Sequence, residues 1–158
     1  MFPWQAMIQH RSTRRDAWDI KCGAVFISER WLITAAHCVD GRFGNRRIVY
    51  GFSKQFEPDK KIGQIKRFIT HPKFERNADL KKDMFFGEND IALVELKAPI
   101  QFTEASNAVA LSNNKHIIDF QACTITGWGF LNSGGKLISI EKEGITKLIF
   151  DRIPNYTK

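Results

Sequence analysis

No stretch of this 158-residue chain is apolar for anything near the ~20 residues that cross a membrane as a helix. Nor does its start, Met1-Phe2-Pro3-Trp4-Gln5, read as a secretory leader, because no basic region precedes a long apolar run. Cysteine is sparse and odd in number, three in all, with no CxxC pair. The four histidines show no HxxxH spacing, so a metal site has little support, and a pairing of His37 with His71 is the weak best case. Internal repeats, low-complexity tracts and sustained helical periodicity are missing as well, which excludes repeat arrays and helical bundles.

What is present describes one globular domain with a real core. Forty-three per cent of residues are apolar, with thirteen Phe and four Trp, which is too hydrophobic for a disordered chain. The charge is lopsided, 24 Lys+Arg against 17 Asp+Glu, for a formal net charge of +7. The basic residues crowd at Arg11 to Arg15, Arg42 to Arg47 and Lys60-Lys61. Such clusters suit a polyanion-binding face. Here they are short, far apart and not interleaved with stacking aromatics, so we read them as solvated loops between strands. No nucleic-acid partner and no membrane partner is expected.

Short strand-like runs recur at roughly 10-residue spacing with turn residues between them, which predicts an all-β barrel or sandwich. The runs are Trp4 to Gln9 as an edge strand, Cys22 to Ile27, Trp31 to Thr34, Arg47 to Gly51, Lys61 to Thr70 and Ile91 to Leu96. Cys123 to Gly127 and Gly144 to Phe150 follow. Ser28-Glu29-Arg30 reads as a turn, Ala35 to Val39 as one helical turn, and the polar stretch Ser112 to Asp119 as a linker. Cys22 and Cys38 flank an apolar segment; if paired, they staple a hairpin-like unit and point to an oxidising compartment, leaving Cys123 over.

Five stretches carry more than this. PWQAMI, CGAVFISERWLITAAHCV, ITHPKF, NDIALVEL and CTITGWG occur in an order and spacing that resembles the chymotrypsin/trypsin family of serine proteases (peptidase S1). The resemblance implies an antiparallel β-barrel of the trypsin-like type. It divides the chain into a first barrel over 1–112, a crossover over 113–121, and the opening strands of a second barrel over 122–158. It assigns His37 as the catalytic general base, able to take and return a proton near neutral pH. It assigns Asp90 as the carboxylate that orients the ring, with Asp83 and Glu88 as weaker alternatives. The roles in that triad are those of the family's standard description. The bridge Cys22–Cys38 is implied beside the histidine. No cofactor and no metal is implied, and His10 and His116 look solvent-facing.

The family's third block, Gly-Asp-Ser-Gly-Gly-Pro, is nowhere in the 158 residues. Ser133-Gly134-Gly135 is a poor substitute: Leu131-Asn132 precedes it, Lys136 follows it, and it falls where the family has a surface loop. Ser28, Ser53, Ser106 and Ser112 sit in loops or at strand ends. Without the serine and its oxyanion donors the chain alone is expected to be inactive, as the His-Asp half of a secreted endopeptidase whose substrates are proteins or peptides. The alternatives are a non-catalytic homologue that binds a partner, and a split assembly in which a second chain supplies the second barrel. The leaderless start conflicts with secretion; either sequence upstream of Met1 completes the chain or it stays in the cytosol. The apolar residues after 122, Trp128 among them, are expected to form unpaired, aggregation-prone edges.

Overall fold

In the computed structural model, residues 2–12, 16–40, 45–52, 58–75, 88–113, 122–128 and 146–149 are described. Six strands close into an antiparallel barrel: β1 (Gln5–Arg11), β2 (Trp18–Phe26), β3 (Trp31–Thr34), β4 (Arg46–Tyr50), β5 (Lys61–Thr70) and β6 (Ala92–Leu96). Around the barrel the order is β1-β2-β3-β6-β5-β4. Two further strands, β7 (Ala122–Ile125) and β8 (Thr146–Ile149), pair with each other. Thus the all-β, trypsin-like barrel expected from the sequence is what the chain forms.

Period-two alternation builds two apolar layers. Ala6 and Ile8 of β1 point into the barrel, where they meet Ala24 and Phe26 of β2, Leu32 of β3, Ile48 and Tyr50 of β4, and Val94 and Leu96 of β6. The intervening Met7 and Val49 face outward, yet they too are buried, because Phe52 and Trp128 cover them. The Phe52 and Trp128 rings stack at 4.4 Å between centroids and 19° between planes. Gly63 is needed inside the barrel, where an added Cβ would come within 3.3 Å of Leu96 Cδ1. After β6 the chain recrosses the barrel end, with the Asn107 N–H donating to Pro3 O and the Val109 N–H to Phe26 O.

Three expectations change. The N-terminal run is no edge strand: β1 pairs with β2 on one side and with β4 on the other, as closure of a barrel requires. Trp128 is not an exposed apolar edge; it is 8% accessible, and next to it Thr126 Oγ1 donates to Gln5 Oε1 over 2.7 Å. Arg46, expected in a solvated loop, is the first residue of β4, one position before the strand start expected at Arg47.

β5 carries one irregularity that matters later. Its register against β6 shifts between Ile65 and Arg67, leaving Lys66 as an extra residue. In a regular strand Lys66 and Arg67 would point to opposite faces. At the bulge both reach the same carboxylate, Glu95, through Lys66 Nζ at 2.8 Å and Arg67 Nε.

Candidate active site

His37 stands at the exit of β3. The strand's last residue, Thr34, is fixed by its hydroxyl donating to Gly23 O over 2.8 Å. Ala35 is extended, and a single 3₁₀ turn, Ala36–Cys38, follows. The Cys38 N–H donates to Ala35 O, and the Val39 and Asp40 N–H groups both donate to Ala36 O. In so tight a turn neighbouring residues point in different directions. Ala36 and Cys38 sink into the barrel core, while the His37 side chain between them keeps 21% of its surface accessible. Cys38 is bonded to Cys22 of β2, closing a loop with a sequence separation of 16.

Asp90 arrives from the neighbouring strand, just before β6, at the barrel end where Thr34 pairs with Ala92. Asn89 precedes it with φ 53°, a left-handed conformation that Asn tolerates better than most residues. The Asn89 side-chain amide donates to Lys73 O over 3.0 Å, and on Asp90's other flank Ile91 O accepts from the His71 N–H over 3.0 Å. The carboxylate is therefore held from both flanks.

The two residues meet at two points. Asp90 Oδ1 accepts the backbone N–H of His37 over 2.8 Å, and Oδ2 lies 2.7 Å from His37 Nδ1. Burial alone would push the Asp90 carboxyl up, but the backbone N–H of His37, its ring N–H and charge, and the Ala36 N–H outweigh that effect. Its pKa settles below the ordinary carboxylate value. An ionised Asp90 makes Nδ1 the protonated nitrogen, so in the neutral ring the basic lone pair sits on Nε2. On that side Nε2 lies 3.4 Å from Cys38 Sγ and 4.0 Å from Cys22 Sγ. The pair can thus accept a proton at Nε2 and stabilise the imidazolium that results.

The other candidates fall away or lie elsewhere. His71 uses Nδ1 to accept the Lys73 N–H over 3.2 Å, closing a turn. Although Cys22, His37 and Cys38 cluster within 4.8 Å, both sulfurs are bonded to each other, and no thiolate is offered to a metal. Glu88 is exposed and bridges Glu75 across the backbone. Ser28 caps the turn before β3 by accepting the Trp31 N–H, and Ser106 is fully buried against Thr103 and Gln101. His10 is half-buried beside Asp19 at 4.0 Å and is not fully solvent-facing. Asp83, His116, Ser53 and Ser133 lie outside the described residues, as does the side chain of Cys123. Two contributions had no local sequence signal: the backbone donors of Ala36 and His37, and the conformation of Asn89.

The chain thus sets a His–Asp pair and an adjoining disulfide at one end of a closed six-stranded barrel. Residues 1–150 match the family model described as Trypsin. The chain is 33% identical over 138 residues to a trypsin of the beetle Phaedon cochleariae, covering 85% of this chain and 48% of that one. It is 32% identical over 146 residues to the serine protease filzig of Drosophila melanogaster, covering 90% of this chain and 8% of that one. To human granzyme M it is 26% identical over 157 residues, covering 99% of this chain and 56% of that one. The chain belongs to the trypsin-like serine protease family, peptidase S1. It spans about half the length of the beetle trypsin, and less than a tenth of filzig.

Proposed function

We propose that this chain supplies the proton-handling half of a secreted serine endopeptidase. His37 is its general base, Asp90 orients the ring and stabilises the imidazolium, and the Cys22–Cys38 bridge fixes the turn that carries the histidine. The observation that carries the proposal is the two-point contact of Asp90 with His37 at 2.8 and 2.7 Å, which sets both ring orientation and tautomer. This contact favours the reading over a protein that only binds a partner, since partner binding does not require the ring's orientation and tautomer to be set. The substrate class is protein or peptide, by family membership.

The 158 residues hold no Gly-Asp-Ser-Gly-Gly-Pro block to supply a nucleophile or an oxyanion hole. We therefore assign residues 1–112 to the first barrel, 113–121 to the crossover and 122–158 to the opening of the second, and we expect this chain alone to be inactive. The experiment is covalent labelling of the purified chain with a serine-directed fluorophosphonate. No adduct is expected. An adduct whose formation requires His37 would locate a working nucleophile within these residues and refute the assignment.

A further inference from the structure

Basic residues that are far apart in the sequence meet on the barrel surface. Arg46 and Arg47 of β4, Lys66 and Arg67 of β5, and Lys97 just past β6 line one open groove of about 610 Å³, together with the polar side chains of Asn45 and Gln64. Two features of the fold bring them together. β4 and β5 are neighbours in the barrel, and the bulge in β5 turns Lys66 and Arg67 to the same side. Lys97 is pinned beside them by its N–H donating to Gln64 O over 2.9 Å. Glu95 holds Lys66 and Arg67, and Asp40 acts on Arg46, so the acidic groups touching these cations are outnumbered. The Lys66 and Arg67 side chains remain 53% and 58% accessible despite their shared partner.

We propose that this groove binds a sulfate-bearing polysaccharide. Its cations are positioned in advance: the Arg47 guanidinium lies 4.0 Å over the Trp18 ring, and that of Arg46 lies 5.2 Å over Phe68. Arg47 Nε also donates to Gln9 Oε1 over 2.9 Å, and Arg46 Nη1 donates to Val39 O. Held arginines of this kind suit anionic oxygens. The same stacking disfavours nucleic acid. Single-stranded polynucleotides gain much of their affinity by stacking bases on aromatic faces. Here the Trp18 and Phe68 rings each have a guanidinium over them, leaving recognition to charge. The disulfide also points to an oxidising compartment, where sulfated glycans and not polynucleotides are the common polyanions.

The test measures binding of a heparin octasaccharide to the full chain across a series of NaCl concentrations, with single-stranded DNA of matched charge alongside. Two double variants remove equal charge: Lys66→Gln with Lys97→Gln in the groove, and Lys61→Gln with Lys73→Gln outside it. All four lysines lie on the surface, and circular dichroism confirms the fold of each variant. Expected is tighter binding of the octasaccharide than of the DNA, with a slope of log K against log[NaCl] that flattens by roughly 2 in the groove variant, about one per cation lost, and by much less in the control. Equal flattening in both variants would reduce the effect to general basicity and overturn the proposal. So would a preference for the DNA, or no octasaccharide binding at low salt. None of these outcomes touches the protease assignment, since the groove contains neither His37 nor Asp90.

Discussion

The Asp90 carboxylate is stabilised by its two contacts with His37 and by the Ala36 N–H, and this gives it a signed pH dependence. Its folded pKa lies below the unfolded value of about 3.9. The stabilisation is therefore complete above that value and is lost as the pH falls through the folded one. Glu95, held below its ordinary value mainly by hydrogen bonds from Lys66 and Arg67, acts with the same sign. Acid denaturation followed by circular dichroism should show the wild type losing stability below about pH 4, with Asp90→Asn flattening part of that dependence and leaving the Glu95 share. A second residue-scale prediction concerns Asn89. At φ 53° a β-branched side chain is strained, so Asn89→Val should cost roughly 1–2 kcal/mol in urea denaturation, while Asn89→Gly should cost less, losing the hydrogen bond to Lys73 O without the backbone strain. The sequence singles out His37 and Asp90 because each sits in a long, specific motif. Their two-point contact was not legible, since it spans 53 positions and depends on backbone N–H groups that no side-chain pattern encodes.

Among the elements, strand positions were the most legible feature. β3 and β5 begin and end where the apolar and β-branched runs do, at Trp31–Thr34 and Lys61–Thr70. β2 begins earlier than its apolar run, at Trp18, because pairing with β1 resumes beyond a register shift at Lys21 and continues through Ile20, polar Asp19 and Trp18. The bulge at Lys66 has no sequence marker; it is set by pairing with β6. The meeting of Arg46, Arg47, Lys66, Arg67 and Lys97 along one groove has no sequence marker for the same reason. Spacing along the chain measures nothing about distance across neighbouring strands. The disulfide ties β2 to the 3₁₀ turn, and closing a loop of this length contributes about 3 kcal/mol in the chain-entropy model. Replacing Cys22 and Cys38 by alanine should lower the denaturation free energy by that order and loosen the turn that bears His37. Phe52 and Trp128 should be energetically coupled. A double-mutant cycle to alanine should return an interaction of about 1 kcal/mol, whereas independent effects would show that the segment after β7 is not docked on the barrel.

For the molecule as a whole, the barrel closes with its apolar interior filled and brings an acid and a base from the ends of two adjacent strands into contact. The residues around Trp128 add a second, outer apolar layer that ties the downstream chain to the barrel. Family membership was readable from five motifs, because they encode strand ends and the site itself. What reads the substrate was not, because none of those motifs contains a nucleophile or a specificity pocket. The most direct measurement is peptide-bond turnover by the purified chain, first alone and then mixed with a separately expressed trypsin-type second barrel that bears the serine. The account predicts no turnover by the chain alone, and turnover in the mixture that His37→Ala abolishes. Turnover without the second barrel, or turnover in the mixture that survives His37→Ala, would contradict it.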